Sequence, residues 1–510
     1  MKILNCNLSI LVVLCSFLML SCQKTDNIKI EEQVDHFPAI FPDYNQIVIP
    51  PNIAPLNFNI EESGKAYFAR IHGNSGKPVL IRSKSSVIDI PLKSWRTLLA
   101  ENQGGKIWID VAVKNDNAGW SQYTPLEITV ANEEMDSHLA YRLINVGYIL
   151  WKKMGLYQRD LTSFKETPIM VNRNSEGNCM NCHSFSKNRP DYFSFHMRGK
   201  HSGTLISTPD SIFKVETKTE YTLASAAYPA WHPNGKHIAF SVNLVRQFFH
   251  SVDKQNEVYD KASDLIIYNI ETNTVTTHPS VSTLDREVLP NWSPDGKYLY
   301  FCRAPRFSDS LNYDEVYYDL MRIAYNTETN EWGKLDTILI ASNDKTTISF
   351  PKISPDGKYI MFTGASHGYF TIYNFTSNLF LLNLETKEVQ PYPYNSETTD
   401  SYHSWSSNGR WVVFSSKRLD GITTRPFISY FDENGVAHKP FVLPQKDPMF
   451  YQSFNINYNI PELITGAVKV NKQRQLKAIW GQAGASHFDQ SVDVDALSGA
   501  SNIQRESSLH

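Results

Sequence analysis

The stretch Pro290-Asn-Trp-Ser-Pro-Asp-Gly-Lys-Tyr-Leu-Tyr-Phe301 decides the fold, because close copies of it recur through the second half of the chain. The other copies are Pro229-Ala-Trp-His-Pro-Asn-Gly-Lys-His-Ile-Ala-Phe240, Pro351-Lys-Ile-Ser-Pro-Asp-Gly-Lys-Tyr-Ile-Met-Phe362 and His403-Ser-Trp-Ser-Ser-Asn-Gly-Arg-Trp-Val-Val-Phe414. Each copy reads as a strand end, a tight turn and an alternating strand, because Pro presets φ and Gly tolerates φ > 0. The repeat predicts a chain built from many short antiparallel strands.

A second element follows each copy and completes the repeating unit. These elements lie at residues 264–272, 319–329, 378–386 and 427–435. Each reads as a strand and a turn that lead to an outer strand, such as residues 274–277. Two hairpins per unit predict a four-stranded blade, and the unit recurs at intervals of 61, 61 and 52 residues, measured at Trp231, Trp292, Ile353 and Trp405.

These repeats resemble the Trp-Ser-Pro-Asp-Gly-Lys motif of TolB-like β-propellers, also described as the PD40 or WD40-like type. The resemblance covers residues 203–472 and implies a ring of five or six blades, of which the family favours six. Residues 204–217 and 454–470 are expected to supply the strands that close the ring. In this interpretation Trp231 and Asp295 maintain the fold and have no catalytic role.

The segment Cys179-Met180-Asn181-Cys182-His183 carries the most specific chemical motif of the chain. In an exported protein, Cys-x-x-Cys-His is the attachment signature of c-type haem. Cys179 and Cys182 would bond the two vinyl groups, and His183 would ligate the iron. A Cys179–Cys182 disulfide and a zinc site remain as alternatives, although no second cysteine pair is present to complete a zinc tetrahedron. We predict one covalently bound haem c, with Cys302 as a small buried core residue.

The sixth ligand of this haem iron is expected from the segment that follows the motif. Alternation along residues 193–198 places Met197 on the face of the phenylalanines and His196 on the face of Arg198. We expect His196 as the distal ligand, and Met197, His201 or an open position are the alternatives. Methionine ligation would give a higher potential than two histidines. Arg198 is a candidate partner for a haem propionate.

The N-terminus indicates export. Lys2 precedes an apolar run, residues 8–20, that is too short to span a bilayer, and Met19-Leu-Ser-Cys22 resembles a lipobox. We predict a lipoprotein signal peptide over residues 1–21, lipid on Cys22 and a tether over residues 22–44. The protein would then be anchored in a bacterial envelope, with the periplasmic side of the outer membrane favoured over the cell surface. An ordinary cleaved signal peptide is the alternative.

The remaining sequence divides into three parts. Residues 45–165 predict an N-terminal β domain of sandwich type, in which residues 131–155 form a closing helix. Residues 166–202 are assigned to a partly helical haem segment. The polar tail, residues 473–510, is predicted to be disordered. No later run of 18 apolar residues predicts a transmembrane helix.

Composition and motif together favour one function over two others. The formal net charge of −3 lacks the basic excess of a nucleic-acid-binding protein. The arrangement resembles Bacteroidetes-type lipoproteins that join a β domain, a Cys-x-x-Cys-His segment and a TolB-like propeller. This resemblance implies electron transfer or haem-linked sensing. The propeller would then be the docking platform for an envelope protein. A haem-free propeller that binds protein or glycan is the alternative. An enzyme is the third and less expected hypothesis: His250, His367 and His403 lie near blade loops, but no Gly-x-Ser-x-Gly or His-Glu-x-x-His motif is present.

Overall fold

A computed structural model describes residues 28–115, 119–146, 153–248, 256–308 and 312–497. The described residues are mainly β, as the sequence predicted, and short helices interrupt the strands. Within these ranges, no helix has the length and apolarity needed to cross a membrane.

The N-terminal part contains ten strands and one helix. The strands are β1 (Ile30–Val34), β2 (Ile40–Phe41), β3 (Ile47–Ile49), β4 (Phe58–Ile60), β5 (Ala66–Gly73), β6 (Val79–Ser83), β7 (Val87–Ile88), β8 (Lys106–Asn115), β9 (Gly119–Tyr123) and β10 (Leu126–Val130), and the helix α1 is Leu92–Glu101. A seven-stranded sheet runs in the order β1-β9-β8-β10-β3, with β5 and β6 joined to β8, and β2, β4 and β7 form a smaller sheet. Helix α1 buries Trp95, Leu98 and Leu99 in an apolar cluster to which residues of both sheets contribute.

The rest of the chain supplies twenty-six strands and two helices within the described residues. The strands are β11 (His138–Asn145), β12 (Met154–Asp160), β13 (Glu166–Val171), β14 (Met180–Phe185), β15 (Phe193–Met197), β16 (Gly203–Ser207), β17 (Ile212–Glu216), β18 (Ala226–Trp231), β19 (His237–Phe248), β20 (Glu257–Asn269), β21 (Thr274–Thr276), β22 (Arg286–Trp292), β23 (Tyr298–Ala304), β24 (Asp319–Asn326), β25 (Glu331–Leu339), β26 (Thr347–Ile353), β27 (Tyr359–Ala365), β28 (Asn378–Asn383), β29 (Val389–Pro391), β30 (Asp400–Trp405), β31 (Trp411–Ser416), β32 (Arg425–Tyr430), β33 (Phe441–Val442), β34 (Ile456–Ile464), β35 (Gly484–Ala485) and β36 (His487–Phe488). The helices are α2 (Phe450–Ser453) and α3 (Lys472–Trp480).

The hydrogen-bonded pairing of the strands from β11 to β34 defines six sets of four antiparallel strands. Five sets are consecutive in the chain: β14–β17, β18–β21, β22–β25, β26–β29 and β30–β33. The sixth joins distant segments, because β34 pairs with β11, and β12 and β13 follow outward. The first strands of the sets, β14, β18, β22, β26, β30 and β34, contact one another in that order, and β34 also contacts β14.

The repeated turn explains why neighbouring sets are held in register. In the copy at Trp292, Ser293 Oγ donates to Asp295 Oδ1 at 2.6 Å and the Lys297 amide donates to the same oxygen at 3.1 Å. Gly296 closes the turn at φ +76°, where a side chain is strained. The indole of Trp292 donates to the carbonyl oxygen of Ala230 in the preceding set at 3.1 Å. The motif therefore builds both the hairpin and its link to the preceding set of strands.

Each of the first strands of the six sets, which we call the innermost strands, also carries a bulge at the same place. Register shifts mark the bulges, and one residue in each has a φ between 47° and 58°: Cys182, Tyr228, Leu289, Phe350, Tyr402 and Ile460. Bulges re-aim the side chains around them. Here they turn side chains of all six strands towards one central cavity.

Three sequence-based predictions of local structure are wrong. The described part of the predicted helix, residues 131–146 and 153–155, is not helical: β11 and the start of β12 lie there, because β11 is buried on both faces and its apolar run mimics a buried helix. The segment predicted as partly helical and haem-binding consists of β13, β14 and β15, joined by single-turn 3-10 helices. Of the tail predicted to be disordered, residues 473–497 are ordered, since α3 packs on β17 and the strands β35 and β36 extend two of the sheets, and residues 498–510 lie outside the described residues.

Candidate functional site

A cavity of about 60 Å³ lies between the innermost strands of the six sets. It adjoins a funnel of about 380 Å³ that opens among the repeated turns. Three side chains line both spaces: Ser184, Lys352 and Glu462. They form the floor of the funnel, and we refer to Lys352, Glu462 and the adjacent His183 as the floor cluster.

Glu462 comes from β34, two residues after the bulge at Ile460. Its side chain is 15% exposed, and its Oε2 accepts a hydrogen bond from the Phe185 amide at 3.3 Å. Burial raises the pKa of Glu462 to about 7, although the charge of Lys352 and the Phe185 amide act in the opposite direction. A carboxyl group with this pKa can both accept and donate a proton near neutral pH.

Lys352 occupies the corresponding position in β26, two residues after the bulge at Phe350. Burial lowers the pKa of its ammonium group, and the nearby carboxylate of Glu462 counteracts this effect. The backbone carbonyl of Lys352 accepts the indole N–H of Trp405 at 3.1 Å, which fixes the strand that carries the side chain. A partly buried ammonium group in this place can bind an anionic or carbonyl oxygen of a small molecule.

His183 completes the floor cluster from β14. Its Nε2 lies 3.8 Å from Glu462 Oε1, its side chain is 2% exposed, and neither ring nitrogen has a hydrogen-bond partner among the described residues. Burial lowers the pKa of His183 to about 3, the charge of Arg142 adds to this effect and the backbone of Ile460 opposes it, so the ring is neutral at pH 7. Unpaired buried nitrogens are unfavourable unless a water or a ligand pairs with them. His403, on the other side of the cavity, instead places Nε2 2.8 Å from the Met361 carbonyl oxygen.

The cysteines of the Cys-x-x-Cys-His motif lie in surroundings that do not fit a haem. Cys179 packs beside the apolar cluster of β14, β15 and β16, whereas Cys182 lines the central cavity. The two thiols therefore face different surroundings, whereas a haem needs both of them along one porphyrin edge. The cavity next to His183 is far smaller than the roughly 300 Å³ and more that cofactor pockets take. The prediction of haem c is therefore wrong.

The two alternatives for this motif also fail. Cys179 and Cys182 are both free thiols, so the predicted disulfide is absent from the structure. Among the residues that the structure describes, no three His, Cys, Asp or Glu side chains lie close enough to hold a metal ion. Cys302 is fully buried in its strand, as the sequence predicted.

The predicted distal ligands lie away from the floor cluster. Met197 is a core residue and pairs across the sheet with Met180. His196 is buried beside the Thr204 hydroxyl, with Nδ1 and Oγ1 3.2 Å apart, and burial lowers its pKa to about 3. His201 lies 3.4 Å from Glu176 and packs on Trp480. Arg198 is exposed.

Two residues singled out in the sequence lie outside the described part of the chain. They are Cys22, the predicted lipidation site, and His250. The lipid anchor therefore stays a prediction.

Sequence reasoning missed Lys352 and Glu462, although the repeat contained a signal for both. The copies place Ala230, Asn291 and Ser404 where the third copy has Lys352. Pro461-Glu-Leu463 follows the same pattern of proline, variable residue and large apolar residue. A charged residue at a position that the other copies fill with small or neutral side chains is the signal that could have drawn attention to both residues.

Comparisons with known proteins do not assign a family. No family model and no curated protein matches the chain. A Synechocystis apocarotenoid oxygenase mutant is 10% identical over 82% of this chain and 95% of that chain, with a TM-score of 0.36. Prolyl oligopeptidase B from Galerina marginata is 11% identical over 66% and 42%, with a TM-score of 0.34. A nidogen/laminin complex is 7% identical over 65% and 99%, with a TM-score of 0.36. Likenesses at this level carry no argument about activity.

These findings correct the functional predictions made from the sequence. The kinship with haem-bearing TolB-like lipoproteins is wrong: no family model matches the chain, and the motif has no room for haem. With the haem, the electron carrier and the haem-linked sensor are removed, and the disulfide-bonded binding module is removed with its disulfide. The expectation that the chain is not an enzyme loses its basis as well, because it rested on the haem-bearing electron carrier and the disulfide-bonded binding module.

Proposed function

We propose that this chain is an enzyme that transfers protons to and from a small carbonyl or carboxylate compound bound on the floor cluster. The observation that carries the proposal is the position of Glu462: its carboxyl group, with a pKa of about 7, lines the funnel and the central cavity beside Lys352 and the unpaired ring of His183. Titratable groups whose surroundings move their pKa values towards neutrality are typical of acid–base sites.

Each member of the floor cluster has a distinct part in this chemistry. The carboxylate of Glu462 removes a proton from the carbon next to the substrate carbonyl group. The negative charge that develops on the carbonyl oxygen is stabilised by the ammonium group of Lys352. The neutral ring of His183 orients the substrate through one of its unpaired nitrogens. Return of the proton to another carbon gives isomerisation, and loss of a leaving group from the neighbouring carbon gives elimination.

The funnel restricts the substrate to small molecules. Its volume of about 380 Å³ lies in the lower part of the range of small-molecule sites. Prolines and tryptophans of the repeated turns surround its opening: Trp231, Pro233, Trp292, Pro294, Pro355 and Trp405. The substrate enters from the face of the turns and reaches the floor cluster with its polar end.

Deuterium incorporation tests the proposal across a whole class of compounds at once. The purified protein is incubated in D₂O at pD 7.5 with a defined mixture of 2-oxo acids, 3-oxo acids and uronic acids, and the mixture is analysed by mass spectrometry against a blank without protein. A proton taken up by Glu462 exchanges with solvent, so we expect deuterium next to the carbonyl group of at least one compound.

The variant Glu462→Gln keeps the size and the hydrogen-bond acceptor of the side chain and should abolish the exchange. Glu271→Gln is the matched control, because Glu271 is 58% exposed, paired with Lys236 and not among the residues that line the funnel. Exchange equal to the blank for every compound, or equal exchange by wild type and Glu462→Gln, would overturn the proposal.

We also propose that the six sets of strands are the blades of a six-bladed β-propeller. The contacts between successive innermost strands and the pairing of β34 with β11 support this arrangement. A chain ended at residue 447 lacks β34 and leaves β11 with one edge unpaired. Hydrogen exchange should then rise in all six sets if they form one ring, whereas exchange confined to β11–β13 would contradict a ring.

Export with a lipid anchor on Cys22 is a separate proposal that rests on the sequence of residues 1–22. Cells that express the full chain are grown with an alkyne-tagged fatty acid and fractionated. We expect label on the membrane-bound protein and loss of both label and membrane association in Cys22→Ser. Membrane association without label would contradict the anchor.

A further inference from the structure

A second chemical site lies at the ends of strands far from the repeated turns. Ser366 and His367 follow the last residue of β27, and Glu257 begins β20, 110 positions earlier in the chain. The Ser366 Oγ and the His367 Nδ1 are 2.9 Å apart, and the His367 Nε2 is 3.2 Å from Glu257 Oε1. The floor cluster contains none of these residues.

The contacts define which nitrogen of His367 holds the proton. A carboxylate only accepts hydrogen bonds, so the Nε2–H of His367 donates to Glu257. The Nδ1 of the neutral ring is then an acceptor, and the hydroxyl group of Ser366 donates to it. A serine that donates to a histidine, which in turn is oriented by a carboxylate, is the arrangement of an activated nucleophile.

The surroundings leave Ser366 accessible and hold His367 in place. Ser366 is exposed, whereas the side chains of His367 and Glu257 are 13% and 15% exposed. The Asn374 amide group donates to Ser366 Oγ at 3.3 Å and the Thr376 hydroxyl group donates to it at 3.0 Å, and these contacts fix the position of the serine oxygen. Gly368, at φ +69°, allows the sharp turn after His367, and its amide donates to the Val316 carbonyl oxygen at 2.8 Å.

An aromatic wall next to the site indicates the class of substrate. The ring of Tyr313 meets the ring of His367 edge-on, with centroids 5.8 Å apart. Tyr259 stacks on Tyr313 at 6.4 Å and on Phe307 at 6.0 Å, and Phe248, 46% exposed, extends the stack. Such a wall favours substrates that place an aromatic or apolar group beside the bond that reacts.

We propose that Ser366 is the nucleophile of an esterase site, with His367 as its base and Glu257 as the residue that positions His367. The Ser366 Oγ bonds to the carbonyl carbon of an ester that carries an aromatic or apolar group beside the ester bond. The proton of the Ser366 hydroxyl group passes to His367 Nδ1. The alcohol leaves with that proton, and the acyl group stays on Ser366. Water then attacks the acyl carbon, gives one proton to His367 and releases the acid, after which the proton returns to Ser366 Oγ.

Covalent labelling and ester hydrolysis test this site in the protein that comprises residues 23–510. An alkyl fluorophosphonate should give one adduct, on the peptide that contains Ser366, and 4-nitrophenyl butyrate should be hydrolysed. Ser366→Ala should lose the adduct and reduce kcat/KM at least about 100-fold. Ser85→Ala is the control, because Ser85 is an exposed serine that only accepts a local amide hydrogen bond.

The role of Glu257 is tested by comparison of two variants. Glu257→Gln should lower kcat and shift the acidic limb of the pH profile, whereas Glu257→Asp, which keeps the carboxylate, should retain more of the activity. All variants are checked for wild-type unfolding temperatures. Absence of adduct and hydrolysis in the folded wild type, or their persistence in Ser366→Ala, would overturn the proposal. Neither result depends on the floor cluster, so the two proposals can fail separately.

Discussion

The substitution Glu462→Gln should change the pH dependence of stability in a direction that the structure determines. The pKa of Glu462 is about 7 in the folded protein and 4.5 in an exposed glutamate. The folded state therefore binds the proton more tightly than the unfolded state. Stability is highest while both states are protonated, below about pH 4.5, and falls as the pH rises through the folded pKa near 7.

The size of this loss follows from the two pKa values. Their difference corresponds to about 3 kcal/mol of the free energy of unfolding, on the scale of 1.36 kcal/mol for each tenfold change in the proton-binding constant. The side chain is only 15% exposed, so solvent screening reduces this figure little. In the variant, Lys352 loses its anionic partner and its pKa falls further, which also favours the variant as the pH rises.

Urea unfolding of wild type, Glu462→Gln and the control Glu271→Gln between pH 4 and pH 8.5 measures the effect. We expect wild type to lose about 3 kcal/mol relative to Glu462→Gln across this range and to run parallel with Glu271→Gln. A constant difference between wild type and Glu462→Gln at every pH would refute the reasoning, because it would show that Glu462 titrates alike in the folded and unfolded states.

Three further predictions concern the framework around the site. Gly296→Ala should lower the free energy of unfolding by about 2–3 kcal/mol and Gly357→Ala by only about 1 kcal/mol. Both glycines have a left-handed φ, but a Cβ at 296 would lie 2.5 Å from His232 Nε2, whereas one at 357 would meet nothing within 4 Å. Equal losses in urea unfolding would contradict this. In the chain that begins after Cys22, a thiol reagent should modify Cys179 and Cys182 in the folded protein and Cys302 only after unfolding; modification of three thiols before unfolding would show that Cys302 is not buried. Arg425→Lys should lower the free energy of unfolding by about 2–4 kcal/mol in thermal unfolding, since the buried guanidinium group donates to the carbonyl oxygens of Ile456 and Tyr451. A loss below about 0.5 kcal/mol would show that these hydrogen bonds do not stabilise the fold.

The repeated part of the fold could be predicted from the sequence because local chemistry controls it. Pro, Asp and Gly in the copy at 290–301 specify a turn by their own dihedral preferences, and the strands on either side alternate. The prediction failed where tertiary contacts decide. Residues 138–145 form a strand only because β12 and β34 pair with both of its edges, and β34 lies more than 300 positions away.

The candidate site was harder to predict for two physical reasons. The spacing of the motif from Cys179 to His183 does not reveal the bulge in its backbone. The bulge at Cys182 turns the thiol of this residue into the cavity, while Cys179 packs against an apolar cluster. The floor cluster combines residues from three sets of strands, so no local pattern contains it. Lys352 could have been found as the unusual member of its repeat position, but its meeting with Glu462 follows only from the pairing of β34 with β11.

The pH profile of deuterium incorporation tests the central claim most directly. For the compound that exchanges in the defined mixture, the rate should follow the ionisation of one group with a pKa near 7, rise as Glu462 loses its proton and be absent in Glu462→Gln. A rate that does not change between pH 5 and pH 9, or the same profile in wild type and Glu462→Gln, would contradict the assignment of Glu462 as the group that transfers the proton.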